Sequence, residues 1–464
     1  MTDRRAFYDQ RAQHRARESG RYYQRALRNY FRFLVPPRLR VLEVGCGLGD
    51  LLASLKPSRG VGVDFSAEMV KLACQRHPDL EFQTADALEF NASEQFDYIV
   101  LSDLVNDLPD VQAVLERLLT VSAPNTRLVI NFFNNLWRPV LKCSEKLGLK
   151  APTLAQNWLS KDDMANLLYL AGWEVIKSDT RIIFPAGVPL VAPLLNRWVA
   201  PLFSPFCVTV ALVARPRPQA AARPQYRCSV VVPARNEAGN IEAAVQRTPE
   251  MGLGTEIIFI EGHSKDNTWD EIQRVAAKYP ERSIRVLKQT SKGKGGAVRE
   301  AFAAATGDIL FILDADLTMP PEELPKFYEA ARSGTAEFVN GVRLVYPMEN
   351  EAMQFLNMLA NKAFGLTFSW LLGQKIKDTL CGTKVLFRAD YEAIARNRAY
   401  FGDFDPFGDF DLIFGAAKLN LRMVDLPIRY RARTYGSTNI HRWSHGWLLL
   451  RMVVFAARRM KFLK

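Results

Sequence analysis

Two aspartates, Asp314 and Asp316, directly follow the apolar run 311–313 and form a candidate metal site in this 464-residue chain. A D-x-D spacing in an extended segment places both carboxylates on the same face. Carboxylate oxygens are ligands that suit Mg²⁺ and Mn²⁺. The pair therefore predicts a divalent-cation site, although a D-x-D by itself is common by chance.

Three further polar segments follow apolar runs in the same half of the chain. They are 232–237 (VPARNE), 260–268 (IEGHSKDNT) and 292–299 (KGKGGAVR), the last of which precedes a predicted helix. Each lies where a strand is predicted to end, and open α/β sheets bind their ligands at that edge. With the aspartate pair, these segments predict one ligand site at the carboxyl edge of a parallel sheet.

Three arginines, Arg429, Arg431 and Arg433, alternate with other residues late in the chain, just before a glycine. This spacing predicts a phosphate clamp, and an exposed cationic strand is the alternative. Asp409 and Asp411, in FGDFDLIF, are candidate general bases for an acceptor that must lose a proton. An acceptor phosphate is already an anion and needs only positioning, and the arginines favour that case.

A glycine-rich turn, with Gly45, Gly47 and Gly49 in VLEVGCGLGD, lies near the start of the chain. Glycine lets the backbone approach a ligand closely, and the helix that follows presents free N–H groups. Alone, such a turn holds a dinucleotide, a phosphate or nothing. Asp64 ends the next predicted strand, where a carboxylate can accept both ribose hydroxyls, and Asp86 ends a third, where it can meet an adenine amino group. Neither GKS nor GKT occurs, which excludes a P-loop.

The elements that must position these residues show the same rhythm in both halves of the chain. Apolar runs alternate with helical stretches before residue 214 and again after residue 226. Strands that alternate with helices predict a mostly parallel, doubly wound sheet. The Pro-, Ala- and Arg-rich segment 214–226 cannot form a core element and is predicted to be a stiff, extended linker.

Four motifs in the first half occur in a fixed order: E-x-G-x-G-x-G, an acid ending the second strand, Asp-Ala after the third, and FDYIV. Together they resemble the class I SAM-dependent methyltransferases over about residues 38–213. The resemblance implies a Rossmann-like sheet with S-adenosyl-L-methionine (SAM) as cofactor. It implies that the residues lining SAM are Glu43, Gly45, Gly47 and Gly49 at the methionine side, Asp64 at the ribose and Asp86 at the adenine. The methyl acceptor stays open, and the missing Asn/Asp-Pro-Pro-aromatic signature disfavours nucleic acid.

The ordered motifs of the second half, together with DADLTMPPEEL, resemble the family-2 glycosyltransferases of the GT-A fold. The match covers about residues 228–440 and is nearest to the dolichyl-phosphate mannosyltransferase-like branch. The resemblance implies a nucleotide-sugar donor and Mg²⁺ or Mn²⁺ bound by Asp314 and Asp316. The residues it places around the nucleotide-sugar are Pro233, Arg235, Glu237, Glu261, Lys294 and Asp314. Those placed near the acceptor are Asp378 and Lys384, in D-x-x-C-G-x-K, and Arg429 and Ser437 of the late arginine-rich loop.

The second half also departs from this family's pattern at two positions. Glu261-Gly262 stands where the family has Asp-Asp, so the base of the nucleotide, uracil or guanine, stays open. Thr318 stands where the branch usually has Gln after D-x-D, which leaves the metal ligands less certain.

The residues that we predict to be catalytic are Asp316, Asp409, Asp411, Arg431 and Arg433.

The chain as a whole is predicted to be an α/β protein of two domains, a Rossmann-like methyltransferase sheet followed by a GT-A domain that binds a nucleotide-sugar. The predicted segments are a basic helical arm (1–37), the methyltransferase domain (38–213), the linker (214–226), the glycosyltransferase domain (227–440) and a basic amphipathic C-terminal helix (441–464). The net charge of +12 is concentrated at the two ends. Such an excess fits anionic lipid, phosphorylated substrates or nucleic acid.

These patterns predict a bifunctional transferase. The second domain is expected to glycosylate a membrane-associated acceptor, with polyprenyl phosphate favoured, and the first to methylate an unidentified small or lipid-linked molecule. The apolar helix 353–372 and the C-terminal helix are expected to rest on a membrane surface. Scattered cysteines without a CxxC pair fit a reducing cytosol, so a peripheral position on the cytoplasmic face is predicted. The alternative is a glycosyltransferase whose first domain only binds SAM or acts as a scaffold; a nucleic-acid partner would rest on the basic arm alone and is disfavoured.

Overall fold

The computed structural model describes residues 2–18, 22–148, 150, 153–218, 224–345, 355–400, 409–433, 435 and 442–463. The chain forms two compact units. Unit 1 comprises Met1–Arg217 with Lys461–Lys464, and unit 2 comprises Pro218–Met460. Each unit is built around its own sheet.

The sheet of unit 1 is doubly wound, as the alternation of strands and helices predicts. Its strands are β1 (Arg40–Val44), β2 (Arg59–Asp64), β3 (Glu81–Thr84), β4 (Phe96–Ser102), β5 (Ser122–Phe133), β6 (Trp173–Arg181) and β7 (Thr209–Pro216). In the described part of the unit they form one seven-stranded sheet with the order β3-β2-β1-β4-β5-β7-β6. The first five strands of this order are parallel, and β7 is antiparallel to both of its neighbours. The strand order reverses between β1 and β4, and ligands bind at such a reversal.

The helices of unit 1 cover both faces of this sheet. They are α1 (Thr2–Glu18), α2 (Tyr22–Leu34), α3 (Asp50–Leu55), α4 (Ala67–Arg76), α5 (Val111–Leu118), α6 (Arg138–Lys146), α7 (Lys161–Leu170) and α8 (Val191–Leu194). Leu27, Phe31 and Leu34 of α2 are buried with Val41 and Val100 of the sheet. The i, i+4, i+7 spacing of these three residues gives α2 one apolar stripe, so the segment predicted as an arm contributes to the core of unit 1.

Strand β7 runs further than the sequence suggests. Ala214 pairs with Leu128 on one side and with Val175 on the other, and Pro216 still pairs with Trp173. The first three residues of the predicted linker therefore lie in the sheet. Because β7 has a neighbour on both sides, its backbone groups find partners there despite the prolines that follow.

Unit 2 contains a second α/β sheet. Its strands are β8 (Cys228–Ala234), β9 (Thr255–Glu261), β10 (Ser283–Lys288), β11 (Ile309–Ile312), β12 (Phe338–Val342), β13 (Lys384–Phe387) and β14 (Met423–Pro427). The order of these seven strands, within the described residues, is β10-β9-β8-β11-β13-β12-β14. The first four are parallel, while β13 is antiparallel to β11 and β12. The predicted fold class, two α/β domains in succession, is confirmed.

The helices of unit 2 pack around that mixed sheet. They are α9 (Ile241–Arg247), α10 (Thr268–Lys278), α11 (Gly293–Ala304), α12 (Leu324–Arg332), α13 (Phe355–Leu372), α14 (Arg388–Arg396), α15 (Asp409–Lys418) and α16 (Arg442–Met460). Val230, Phe259, Phe311 and Val385 of the strands lie in one buried cluster with Phe327 of α12. No helix in the described ranges combines the length and hydrophobicity that a membrane span requires.

Candidate active sites of the two units

The glycine-rich turn of unit 1 connects β1 to α3. Gly45, Gly47 and Gly49 all have positive φ, at 74°, 51° and 72°, a region that favours glycine. A Cβ on Gly45 would lie 2.7 Å from Leu104, and one on Gly49 would lie 2.4 Å from Phe82. A Cβ on Gly47 would meet nothing within 4 Å. Gly45 and Gly49 are thus fixed by packing as well as by backbone conformation, whereas the space beside Gly47 is open to a ligand.

Asp64, the last residue of β2, holds this turn in place. Its Oδ2 accepts a hydrogen bond from the Gly47 amide at 2.8 Å, and its Oδ1 accepts one from the Ser66 amide at 3.0 Å. Asp86 follows β3, on the far side of β2, and its Oδ1 accepts from the Leu88 amide at 3.0 Å. The strand order therefore places Asp86, Asp64 and the glycine turn in succession along one edge.

Glu43 supports the turn from the interior. It is 3% exposed, and its Oε2 accepts a hydrogen bond from the Leu52 amide at 2.9 Å. Burial raises the pKa of Glu43 to about 8. This position beneath α3 differs from the expectation that Glu43 lines the methionine side of SAM.

Replacing Glu43 with glutamine should flatten the pH dependence of unit 1 stability. Because burial raises the native pKa of Glu43 from its ordinary value of 4.5 to about 8, its favourable contribution to stability is complete below pH 4.5 and is lost as the pH rises through 8. The loss is at most about 5 kcal/mol. To measure this loss, the chain is unfolded in urea at a series of pH values. A hydrogen-exchange pulse at one fixed pH then reads the unfolding midpoint of peptides from β1 and α3. Parallel pH profiles for wild type and Glu43→Gln would contradict the assignment.

Helix α1 lies against the glycine turn, which the sequence did not reveal. Ala12 is buried in a small cluster with Leu48 of the turn and Met69 of α4. Asp9 Oδ1 accepts a hydrogen bond from the Ser66 hydroxyl at 2.5 Å. The helix is therefore attached both to the turn and to the residue that caps α4.

Tyr8 extends the same contact toward the other side of the site. Its hydroxyl donates to Asp107 Oδ2 at 2.5 Å, and its ring packs edge-on against Phe65. Tyr8 and Ala12 are one helical turn apart and are both buried. That i, i+4 pair, within a segment otherwise rich in arginine, was the signal that could have identified α1 as part of the site.

The loop after β4 faces the glycine turn across the strand-order reversal and carries a strained residue. Asp103 has a φ of 53°, which is uncommon for a residue with a side chain. Its Oδ1 accepts hydrogen bonds from Asn131 Nδ2 at 2.5 Å and from the Tyr23 hydroxyl at 3.0 Å. Burial, and then the charge of Asp103, raise the pKa of Tyr23. Backbone strain of this kind concentrates at functional sites.

In unit 2, the loops after β8 and β9 are joined by hydrogen bonds. The Asn236 amide donates to Ser264 Oγ at 3.0 Å, and the Lys265 amide donates to Asn236 Oδ1 at 2.7 Å. Glu261 Oε1 accepts from the Ser264 amide at 2.5 Å. Asn236 and His263 both have a φ of 58°, so strained backbone recurs at this edge as well.

Arg433 connects the loop after β11 to this cluster. The guanidinium of Arg433 donates to Asp316 Oδ2 at 2.6 Å and to Glu237 Oε1 at 3.2 Å. Glu237, after β8, and Asp316, after β11, are thus connected at the strand-order reversal of the second sheet. Asp316 Oδ1 also accepts from the Thr318 hydroxyl at 2.8 Å. Burial raises the pKa of Glu237.

Lys294, at the start of α11, brings the fourth loop to the same place. Its Nζ lies 2.6 Å from Asp314 Oδ1. Burial favours the neutral form of Asp314, but the charge of Lys294 holds its pKa below the ordinary value. A Cβ on Gly382 would lie 2.0 Å from Asp314 Oδ2 and 2.5 Å from Lys294 Nζ, so the D-x-x-C-G-x-K segment meets the site at its glycine.

Asp378 and Lys384 of that segment lie in the interior instead of at the acceptor position expected from the sequence. Both are 0% exposed. Arg343 donates to the two oxygens of Asp378 at 2.7 and 2.9 Å, and Asn361 Nδ2 donates to Oδ1 at 2.9 Å. Burial opposes ionisation, but the charge of Arg343 lowers the pKa of Asp378 to about 2. Lys384 Nζ donates to the Cys381 carbonyl, so both side chains support the segment from behind.

The remaining predicted residues are placed as follows. Pro233 is half-buried at the end of β8, Arg235 is exposed just beyond it, and Arg429 and Arg431 are exposed on the late loop. The Arg431 amide donates to the Thr318 carbonyl at 2.9 Å. Among the three alternating arginines, the guanidinium of Arg433 contacts the acidic residues Asp316 and Glu237.

The two candidate general bases are Asp411 and Asp409. Asp411 is 7% exposed, and its Oδ2 lies 2.8 Å from Arg398 Nε and 3.5 Å from an Arg299 nitrogen. A general base must reach the proton that it removes, so this buried, ion-paired carboxylate is poorly placed for that task. The side chain of Asp409 and the whole of Ser437 lie outside the described residues.

The donor set at the aspartate pair fits Mg²⁺ or Mn²⁺. In the part of the chain that the structure describes, no group of three or more His, Cys, Asp or Glu residues gathers around one point. Mg²⁺ usually binds one or two carboxylates together with substrate phosphates and water instead of a complete protein cage. Asp314 and Asp316 supply that number of carboxylates, with no further protein ligand needed.

The geometry defines both units as α/β domains whose candidate ligand sites lie at the strand-order reversal, and comparison with known proteins identifies the class of each. Residues 12–178 match a methyltransferase domain family, and residues 229–401 match the glycosyl transferase family 2. Dolichol-phosphate mannosyltransferase from Pyrococcus furiosus is 33% identical to part of the chain, and the match covers 37% of this chain and 49% of that protein. The chain therefore carries a region that matches the methyltransferase domain family, followed by a region that matches the glycosyl transferase family 2.

Two further proteins are similar to parts of the chain. Undecaprenyl-phosphate 4-deoxy-4-formamido-L-arabinose transferase from Pectobacterium atrosepticum is 29% identical, covering 36% of this chain and 51% of its own. The solved SAM-dependent methyltransferase from Mesorhizobium loti is 17% identical, covers 42% of this chain and 99% of its own, and has a TM-score of 0.33. This chain spans about half the length of the two curated glycosyltransferases that it matches.

Proposed function

We propose that unit 2 transfers a sugar from a nucleotide-sugar to a polyprenyl phosphate and that unit 1 transfers a methyl group from SAM to a small or lipid-linked acceptor. The observation that carries the proposal is the convergence of four loops on Asp314 and Asp316. Arg433 joins Asp316 to Glu237, and Lys294 contacts Asp314. A nucleoside diphosphate needs such a mixed cluster, because its phosphates require cations and its metal requires carboxylates.

In the transfer step, the bond between the anomeric carbon and the diphosphate oxygen breaks, and a bond to an oxygen of the acceptor phosphate forms. A divalent cation on Asp314 and Asp316 would neutralise the charge that develops on the departing nucleoside diphosphate. Lys294 and Arg433 can donate to the diphosphate oxygens, which frees the two carboxylates for the cation. Charge-assisted hydrogen bonds of this kind are among the strongest available to a protein.

An acceptor phosphate suits this site better than an acceptor hydroxyl. A phosphate oxygen carries no proton that must be removed, so the reaction needs positioning and no general base. Asp411, the candidate base whose side chain is described, is held by Arg398 and Arg299. Arg429 and Arg431 are exposed on the loop that contains Arg433, so this loop brings cations to the surface near the site. The names of the two curated relatives contain dolichol phosphate and undecaprenyl phosphate, and both support the same class of acceptor.

A membrane surface is the proposed location of that acceptor. Leu359 and Leu366 of α13, two turns apart, are 55% and 76% exposed. Trp447, Leu450 and Val454 of α16 follow an i, i+3, i+7 pattern, and they are 63%, 46% and 46% exposed. Helices α13 and α16 pack against each other, so these side chains form an apolar surface suited to a lipid interface. On this basis we propose a peripheral position at a membrane surface, and the cysteines without a CxxC pair favour its cytoplasmic face.

SAM is the proposed cofactor of unit 1. The open space beside Gly47, and the position of Asp64 at the end of β2 next to it, fit a ligand that brings a ribose to the edge of the sheet. SAM supplies an electrophilic methyl group, and the task left to the protein is to hold an acceptor in line with it. The β4 loop with Asp103 and Tyr23 lies across the strand-order reversal and is the proposed acceptor side.

The sugar-transfer proposal is tested by incubating the purified full chain with a panel of labelled UDP- and GDP-sugars. Each donor is assayed with and without polyprenyl phosphate and with and without Mg²⁺. We expect labelled product in the lipid phase with one class of donor, and only when both the lipid phosphate and Mg²⁺ are present. Product that forms equally well without lipid phosphate, or no product with any donor, would overturn the proposed acceptor.

A further inference from the structure

Unit 1 carries an exposed apolar surface that neither the cofactor site nor the proposed sugar transfer uses. Between β6 and β7 the chain forms a folded excursion over residues 182–208. Its most exposed side chains are Leu190, Leu194, Leu202, Phe203 and Phe206, at 86%, 59%, 62%, 51% and 62%. A soluble monomer rarely leaves such a contiguous apolar patch exposed without a partner for it.

The excursion is held in one conformation by polar contacts in its interior. Asn196 Oδ1 accepts from the amides of Ile183 and Phe184, both at 2.8 Å, and Asn196 Nδ2 donates to the Phe184 carbonyl at 2.7 Å and to the Tyr22 hydroxyl at 3.1 Å. Leu190 has a φ of 64°, a costly conformation for a branched side chain. The exposure of these leucines and phenylalanines is therefore built into a fixed structure.

Helix α6 continues the same surface. Trp137 Nε1 donates to the Phe206 carbonyl at 2.9 Å, and Asn134 Nδ2 donates to the carbonyls of Pro205 and Cys207, both at 3.0 Å. Leu141 on the inner side of α6 packs with the buried Ile182 and Val208. Leu136 just before α6, Val140 within it and Leu147 just after it are 63%, 49% and 68% exposed. We call the exposed apolar residues of 186–206 and 136–147 the apolar platform.

Most of the charges around the apolar platform are positive. Arg138, Lys142 and Lys146 are exposed on α6, and Arg197 lies within the excursion. No aspartate or glutamate occurs in the sequence between Asp179 and Glu237. In the α6 segment the acid is Glu145, which forms an ion pair with Lys150. Exposed leucine, phenylalanine and tryptophan flanked by cations suit the headgroup region of an anionic bilayer.

We propose that the apolar platform of unit 1 docks on an anionic lipid bilayer, with its leucine and phenylalanine side chains in the acyl boundary and the α6 cations at the headgroups. Docking there would bring the methyltransferase domain to lipid-borne molecules by a surface of its own. The proposal does not depend on the sugar-transfer proposal, because it uses no residue of unit 2.

Two cysteines provide a matched pair of probe positions. Cys143 lies on α6 and Cys74 lies on α4, both are exposed, and the other four cysteines are buried. The full chain with Cys74→Ser is labelled at Cys143 with an environment-sensitive fluorophore, and the full chain with Cys143→Ser is labelled at Cys74. Vesicles of phosphatidylcholine with and without about 30% phosphatidylglycerol are then added, with a nitroxide-labelled lipid as quencher.

We expect a blue shift and lipid quenching at Cys143 with anionic vesicles, and little change at Cys74. Leu190→Ser combined with Phe206→Ser should weaken the Cys143 response by roughly tenfold or more, because each side chain loses the free energy of leaving water. Leu170→Ser on α7, which removes a leucine that is 52% exposed, serves as the control. Retention of SAM binding by the variants shows that unit 1 still folds.

Three outcomes would overturn the proposal. Vesicle binding by the chain with no response at Cys143 would mean that another surface makes the contact. An equal response at both probe positions would mean adsorption without a specific face. A concentration-dependent shift at Cys143 without vesicles, with a matching increase in mass by light scattering, would identify a second copy of this chain as the occupant.

Discussion

Replacing Asp316 with alanine should abolish sugar transfer, with a loss of about 10³-fold or more in kcat, since a cation ligand and its electrostatic stabilisation together contribute several kcal/mol. The substitution removes one of two carboxylates at the proposed cation site. It also removes one of the two acidic partners of the Arg433 guanidinium, which lies 2.6 Å from Asp316 Oδ2 and 3.2 Å from Glu237 Oε1. Both effects raise the barrier to departure of the nucleoside diphosphate, while the affinity of unit 1 for SAM should not change.

The measurement is transfer of labelled sugar to polyprenyl phosphate at saturating donor and Mg²⁺. Asp316→Asn keeps the shape of the side chain and removes its charge, so it should be nearly as inactive as Asp316→Ala if charge is what matters. Asp270→Asn, at an exposed position on α10, is the matched control and should transfer normally. Transfer by Asp316→Ala within about twofold of wild type, in enzyme that still binds donor, would remove the argument for a cation at this site.

The location of the candidate sites, at the carboxyl edge of each sheet, could be predicted from the sequence because one geometric rule determines it. In a parallel sheet the carboxyl ends of neighbouring strands lie side by side, so polar segments after 228–232, 256–260 and 308–313 had to meet. In the structure, Glu237, Glu261 and Asp314 lie at this edge. Arg433 contacts Asp316, two residues after Asp314. The alternation of apolar and helical segments accounts for the parallel strands of both sheets, but not for the antiparallel β7 and β13.

The sequence did not reveal the direction in which individual side chains point. Asp378 carries a motif's spacing, but its partner Arg343 comes from 35 residues away and draws the carboxylate into the interior. Glu43 occupies a strand position that pairs on both sides, and in this position its side chain faces the buried end of α3. Spacing in sequence identifies which loop a residue belongs to, whereas burial and distant partners decide whether it faces the ligand.

Helix α1 illustrates a second limit. Its arginines dominated the interpretation of the N-terminal segment as a basic arm, because charge is conspicuous in sequence and small buried residues are not. Ala12 is 1% exposed and Tyr8 is 8% exposed, and these two, with Asp9, attach the helix to the glycine turn. Predicting that contact would have required knowledge of where α4 and the turn present a matching apolar surface.

Replacing Asp64 with alanine should lower the affinity of unit 1 for SAM by about 100-fold or more. Two hydrogen bonds from ribose hydroxyls to a carboxylate are each worth about 1.5–3 kcal/mol. The same substitution leaves the amides of Gly47 and Ser66 without the acceptor that they have now. Isothermal titration calorimetry with SAM measures the change, and sugar transfer by unit 2 serves as the internal control, because it should be retained.

A matched pair of variants separates the ligand role of Asp64 from its structural role. Asp64→Asn keeps one carbonyl oxygen for a backbone amide and loses the charge and the second acceptor, so it should order the glycine turn better than Asp64→Ala and still bind SAM weakly. Asp79→Ala, in the exposed turn before β3, should bind SAM normally. If hydrogen exchange of residues 45–50 is unchanged in Asp64→Asn while SAM affinity falls, the carboxylate acts on the cofactor directly. If affinity is unchanged in both Asp64 variants, the edge formed by Asp64 and Gly47 is not where the cofactor binds.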